Sequence, residues 1–441
     1  MSSLGNEARV CVLAVAVGMA TCLSATQEAC CDEPGAKSAG FSAKELHVGI
    51  ADGEIRGDDH RVLQEAVDRM ASLGGGTVRV GPGRYLMRNA LMLRSNVRVI
   101  GAPEEGTVLV SCQGAKTRLV QDAAHNQHQI VLADTAGFCV GDGVAIKDDC
   151  FPSAFAVTTA TLAEKIGPRT FRLSKPLVKD YTVAQNATVA LAFPVVGGWN
   201  VKDVVVQRLT IDGNRTKAEA LDGCRGAGIY LYACERVTIR RCTVRNYRGD
   251  GISFQWASRD VTVEDCLVEN CAVFGLHPGS DSHHSIMRQN RSVGNGGPGL
   301  FVCENVKHVT FEKNELRNNQ GPGISIGCRD TDNVFRENTI TNNTTTGILF
   351  RDDGGEQKGA HRNVFEKNII LDNGSPAEAD RPPACITILG THRDLVFREN
   401  TLGNTQPDGP ADIGILVVND AEELTNEANR FLNLKSEIQT P

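Results

Sequence analysis

From residue 228 to residue 349 apolar and polar positions recur on a fixed period. A glycine followed by isoleucine or leucine opens each unit, at Gly228, Gly251, Gly275, Gly299, Gly323 and Gly347, in steps of 23, 24, 24, 24 and 24 residues. Each unit holds three short apolar/polar alternations divided by turns. In "GISFQWASRDVTVEDCLVEN", Ile252 and Phe254 face inward, then Val261 and Val263, then Leu267 or Val268. Alternation of period two predicts strands, and no helical stripe runs through the unit. Three strands per coil at a constant repeat predict an all-β, parallel β-helix solenoid; the Leu-x-x-Leu-x-Leu signature of a leucine-rich repeat is missing.

The corners carry a second pattern. Cys242, Cys266, Asn290, Asn314 and Asn338 recur fourteen or fifteen residues after the glycines, and Asn246, Asn270, Gly294, Asn318 and Asn342 follow four residues later. Asn and Gly tolerate left-handed backbone at tight bends, and stacked Asn amides can bond along the solenoid axis. Ahead of the coils, Val62, Ala66, Val67 and Met70 sit at helical spacing before Gly74-Gly75-Gly76 and a strand over Thr77 to Val80. That segment reads as a short helix covering the open first coil. The glycine run follows a helix and lacks Lys-Ser/Thr, so it is not a phosphate loop. Residues 115–195 break the rhythm and read as an inserted, hairpin-rich β-subdomain within a β-helix spanning 45–435. After Asn368 the period stretches around "GSPAEADRPPA", a weak coil follows at Ile413 to Val418, and the polar tail from Glu422 reads as a loose cap.

Composition adds limits. A net charge of −7 and 22% charged residues fit a globular protein and argue against general affinity for nucleic acid or anionic membranes. Residues 1–29 combine Arg9, an apolar run from Val10 to about Ala20 and small residues, the anatomy of an export signal too short to span a membrane. Secretion to the periplasm or exterior is therefore expected, with lipid anchoring at Cys22 a weaker alternative; a monomer is the default. Of fifteen cysteines, Cys242 and Cys266 read as stacked core residues, while Cys139 with Cys150, or Cys224 with Cys234, are candidate disulfides. The chain lacks the paired CxxC elements of a zinc site.

The helix followed by "GGGTVRVGPGRYLM" and glycine-isoleucine coils with Asn turns resembles the pectate-lyase-like superfamily of right-handed β-helix proteins over residues 45–435. Within it, "FGLHPGSDSHHSIMRQNRSVGNGGPGLFVCENVKHVTFEKN" is similar to the active-site coils of mannuronan C-5 epimerases, with His277-Pro278-Gly279-Ser280-Asp281 where that family has Asp-Pro-His-Asp. A second resemblance, of "GPGISIG" to the Gly-His-Gly-Ile-Ser-Ile-Gly element of polygalacturonases, places Pro322 where that family has histidine. These resemblances imply a polysaccharide partner and lyase or epimerase action on a uronate-containing polymer, with glycoside hydrolysis or non-catalytic glycan binding as alternatives.

Strand alternation also predicts which side chains leave the coil. The outward ladder runs Tyr230, Ser253, His277, Phe301, Ser325 and Leu349. A parallel row runs Tyr232, Gln255, Gly279, Cys303, Gly327 and Arg351, with Trp256, Glu304, Arg329, Asp330, Asp352 and Asp353 at strand ends. Elimination or epimerisation of a uronate needs a group to neutralise the carboxylate, a base and an acid. Arg329 and Arg351 suit the first task; His277, His283 or His284 the base; Tyr232 the proton donor. Tyr230, Tyr232, Trp256 and Phe301 suit sugar stacking, with Gln255 and Glu304 beside them. Asp281, Asp330, Asp352 and Asp353 suit orienting roles or calcium, and Asp330 with Asp352 suit the carboxyl pair of a hydrolase. The plainer readings are a turn-closing Arg329–Asp330 pair, a solvated His283-His284 turn, and turn aspartates at Asp212 and Asp250.

Overall fold

The computed structural model describes residues 42–103, 106–150, 156–374, 381–419 and 421–440; the expected leader, and most of the insertion after Gly374, lie outside them. The architecture is a right-handed parallel β-helix. Three long parallel sheets of 13, 11 and 11 strands form its walls. One wall is built from the strands that follow the repeat glycines, from Leu91–Met92 through Val196–Trp199, Ala227–Tyr232, Asp250–Gln255 and Leu276–Pro278 to Ser436–Gln439.

The repeat glycine is required by close approach. A Cβ on Gly323 would lie 2.8 Å from the carbonyl oxygen of Gly347 on the next coil, and comparable clashes meet Gly251, Gly275 and Gly299. Corner residues Asn246, Asn270, Asn318 and Asn342 adopt φ of 53–56°, the left-handed region, with Gly294 at 65°. The buried Asn amides form a ladder. Asn338 Nδ2 donates to Asn368 Oδ1 and to Phe311 O, both at 2.9 Å, while its Oδ1 accepts from Asn314 N and Nδ2 at 3.0 Å. Each amide thereby satisfies its donors and acceptor inside the core. The ladder continues through Asn400 to Asn429, so the coil closes across the lengthened units. A second ladder joins Asn295, Asn319, Asn343 and Asn373. Inside, Phe311, Phe335, Phe365 and Phe397 stack at 4.6, 4.4 and 5.2 Å between centroids.

Helix α1 spans His60–Ser72 and begins at Asp59, whose Oδ1 accepts from Arg61 N at 2.9 Å. It buries Leu63, Ala66, Val67 and Met70. Leu63 takes the inward place expected of Val62, which is only half-buried against the core edge. Between Lys116 and Leu191 six strands form an antiparallel sheet. This sheet is tied to the coil by the bidentate Arg88–Asp142 pair at 2.7 and 2.8 Å.

Two expectations are corrected. The tail is no loose cap: Thr425–Glu427, Arg430–Leu432 and Ser436–Gln439 each pair with a wall and complete a final coil. The described cysteines are all free thiols, including Cys139, Cys150, Cys224 and Cys234. Cys234 is instead buried, its thiol donating to Tyr232 O at 3.4 Å.

Candidate functional site

The glycine-led wall places His277 on the rung between Ser253 and Phe301. Its Nδ1 donates to Asp250 Oδ2 at 2.6 Å, and both side chains are almost fully buried. Asp250 is fixed in turn by the Phe274 amide, 3.1 Å from Oδ1. Burial opposes a charged imidazole, but Asp250 and the neighbouring Cys303 thiol outweigh it and raise the His277 pKa to about 10. His277 is therefore an imidazolium at neutral pH. Its Nε2 has no hydrogen-bond partner of good geometry despite the nearby thiol. The edges of Phe274 and Phe301, each 5.3 Å from the imidazole centroid and stacked on one another at 4.2 Å, flank the ring.

Arg351 lies across Phe301, its guanidinium carbon 4.5 Å from the ring centroid. Its Nη1 donates to Ser325 Oγ at 3.0 Å and its Nη2 to Val302 O at 2.9 Å. Two carboxyl groups attend it: Asp330 Oδ2 at 3.7 Å and Asp353 Oδ2 at 3.5 Å. Asp330 is fully buried and accepts the amides of Val306 and Gly327, each at 3.0 Å. Burial pushes its pKa up to about 7, against the pull of Arg351 and the two amides. Asp353, only partly buried, accepts the Cys328 amide at 2.5 Å. Nearby, Tyr232 and the half-exposed Trp256 stack with centroids 5.9 Å apart and planes 7° apart.

The expected residues thus divide. His277, Phe301, Arg351 and Asp330 form one continuous cluster, and Tyr232 with Trp256 stands on the same wall. Tyr230 and Gln255 point outward from the sheet but are covered, at 1% and 2% exposure. The segment over residues 221–226 crosses this part of the wall: Tyr230 Oη donates to Cys224 O at 2.9 Å, and Ser253 Oγ to Gly223 O at 3.0 Å. Tyr230 is therefore a buried anchor and offers no sugar platform. Arg329 and Glu304 are exposed and bonded to each other across adjacent coils at 2.5 Å, so Arg329 does not close a turn with Asp330, which faces Arg351 instead. His283 and His284 lie at the following corner, where His284 stacks on His308 at 5.1 Å; no contact joins them to His277. Asp281 engages Asn305 on the next coil. Asp352 is exposed and accepts the Gly354 amide at 3.1 Å. With Asp330 buried and held by two amides, Asp330 and Asp352 do not form an open carboxyl pair. Among the described residues no group of three or more His, Cys, Asp or Glu is arranged to hold a metal ion; of the acidic residues expected to gather calcium, Asp330 and Asp353 meet, and they do so on Arg351.

Four participants lie outside the sequence expectation, among them Phe274, which packs against His277 and Phe301. Asp250 before Gly251 has the signature of a turn, Cys303 that of a plain rung, and Gly223 lies in a stretch with no periodicity to mark it. A Cβ at residue 223 would collide with Asp250 Oδ2 and lie 2.9 Å from His277 Nδ1. The absence of a side chain there lets the crossing segment rest on the pair.

A family model for the right-handed β-helix region matches residues 195–357 and 304–437. The chain belongs to that β-helix family. No curated protein sequence gives a significant match. Among solved structures, this β-helix is similar to the A-module of the mannuronan C-5 epimerase AlgE4 of Azotobacter vinelandii. That match has a TM-score of 0.55 and 17% identity, covering 89% of this chain and 98% of that one. The AlgE6 A-module of the same organism matches with 0.52 and 16%, covering 89% and 100%. PfbA, a surface adhesin of Streptococcus pneumoniae, matches with 0.50 and 14%, covering 89% and 91%. At such identities these likenesses establish the fold. Among the described residues no helix is long and apolar enough to cross a membrane.

Proposed function

We propose that this β-helix acts outside the cell on an acidic, uronate-containing polysaccharide, by β-elimination or C-5 epimerisation, at the cluster around His277 and Arg351. The observation that carries the reading is the placing of two cations, the His277 imidazolium and the Arg351 guanidinium, against one aromatic ring, Phe301. Arg351 is suited to hold the uronate carboxylate, whose charge must be offset before the neighbouring carbon yields its proton. His277, protonated at neutral pH and oriented by Asp250, suits the proton donor rather than the base expected from sequence. Asp353, beside Arg351 and not fully covered, is the carboxylate placed to accept the substrate proton. Tyr232 and Trp256 offer a flat surface to neighbouring sugars. In this reading the 221–226 segment and the Phe274–Phe301 pair must shift before Nε2 of His277 meets substrate.

The burial of His277 favours a second reading, non-catalytic glycan binding on the exposed aromatic surface. A panel of polyuronates separates the two. Elimination yields an unsaturated uronyl product with an ultraviolet band, epimerisation changes C-5 stereochemistry without cleavage, and binding alone does neither. His277→Gln and Arg351→Met are each expected to lower turnover at least a hundredfold; full activity in both would sink the assignment.

A further inference from the structure

A second site lies away from the His277 cluster, where α1, residues 89–94, the antiparallel sheet and Trp199 enclose a pocket of about 650 Å³. Its walls are largely apolar, from Ala90, Leu93, Val144, Ala160 and Phe193, and its charged lining is of one sign: Arg61, Arg94 and Lys175, with no Asp or Glu. Arg94 is paired with Asp68 at 2.8 Å, and Arg61 lies 3.9 Å from Asp59. Lys175 has no carboxylate partner among the described residues. Its Nζ sits 4.8 Å from the Trp199 ring centroid, and desolvation there lowers its pKa. His60, 7% exposed, also lines the pocket and leaves Nδ1 without a partner. With Arg94 and Arg61 held by Asp68 and Asp59, Lys175 is the cation left for a ligand, and an apolar pocket with one uncompensated cation and no acid in its lining is suited to an anion.

The register relates the pocket to the site already described. Trp199, in the lining of the pocket, is the rung before Tyr232 in a row that continues through the covered Gln255 and Gly279 to Cys303, so the pocket lies at the upstream end of the same wall. Four rungs at ~4.8 Å place it about 19 Å along the wall from the Phe301 coil. We infer that this pocket is a distal subsite for a terminal carboxylate-bearing sugar of the same polysaccharide, its carboxylate on Lys175 and its carbon face against the apolar wall. The inference rests on the proposed acidic substrate.

The chain has two tryptophans, Trp199 and Trp256, so Trp256→Phe leaves Trp199 as the sole indole reporter. Titrating that variant with trimannuronate and trigalacturonate is expected to give a saturable change in Trp199 fluorescence. Maltotriose should bind at least tenfold more weakly. Adding Lys175→Met should weaken the acidic ligands at least tenfold, Lys175→Arg should restore them, and matching melting curves would exclude misfolding. A silent Trp199, equal binding of neutral and acidic sugars, no effect of Lys175→Met, or full competition by inorganic phosphate at equal concentration would each overturn the subsite. Turnover of polymer is scored separately on the unmodified chain. Turnover with a silent Trp199 defeats the subsite alone, and a saturable signal without turnover defeats the catalytic reading alone.

Discussion

Replacing Asp250 by Asn tests the core of the site with little change of shape. In the unaltered protein the His277 pKa rises from 6.5 to about 10, so folding favours the protonated ring. The sign follows: this contribution is complete below pH 6.5 and is lost as pH climbs through about 10. That rise corresponds to no more than about 5 kcal/mol, in line with the ~3–5 kcal/mol typical of removing one member of a buried ion pair. Without the carboxylate charge, burial dominates and His277 should be neutral at pH 7. Denaturant unfolding of both proteins at pH 6, 8 and 10 should show a gap of several kcal/mol at pH 6 that narrows strongly by pH 10. Nitrogen-15 spectra of the imidazole should report a charged ring at pH 8 in the parent and a neutral one in the variant. A gap that does not vary with pH, or parent His277 titrating near 6.5, refutes the reasoning. If the proposed reaction is correct, parent turnover also declines on the alkaline side as His277 loses its proton, and Asp250→Asn moves that decline to lower pH.

Asp330, with a pKa raised by burial from 3.8 to about 7, works in a different window: its ionisation is penalised in the folded state, so stability should fall from pH 4 to pH 7 and then level. Asp330→Asn should flatten that stretch of the stability–pH curve, removing a fall of at most about 4 kcal/mol, as read by thermal melts across the range. Asn338→Ala strips four hydrogen bonds from the ladder and strands their partners. At ~1–3 kcal/mol for each unsatisfied buried group, a loss of at least about 4 kcal/mol is expected by chemical denaturation, against under ~1 kcal/mol for the exposed Asp352→Ala. Gly223→Ala should force the crossing segment off the Asp250–His277 pair, raising the rate at which the His277 ring N–H exchanges with solvent in nitrogen-15 spectra; an unchanged exchange rate shows that the segment does not guard the ring.

The coil was legible because its determinants are local and repeated. A glycine is needed wherever one coil's backbone passes close to the next, and an Asn wherever a left-handed corner or a buried amide rung is needed, so period and chemistry coincide in the sequence. The site was less legible because pointing out of the sheet is not the same as being exposed. Alternation correctly put Tyr230, Gln255 and His277 on the outer face, but the stretch around Gly223, which has no periodicity of its own, lies over that face and buries them. Asp250 carried a signal that pairing it with Gly251 as a turn concealed. At the position before the repeat glycine the other coils have Ala227, Phe274, Pro298, Pro322 and Thr346, so an acid there is exceptional, and it stands one coil from the only histidine of the ladder. A charged residue that breaks a repeat beside another that breaks it identifies a pair whose burial must be compensated mutually, since neither is tolerated alone. The Arg351–Asp330 pair follows the same rule on the coils beyond Phe301, so the two departures from the repeat flank a single aromatic ring. That convergence, more than any individual residue, distinguishes this stretch of wall from the coils above and below it.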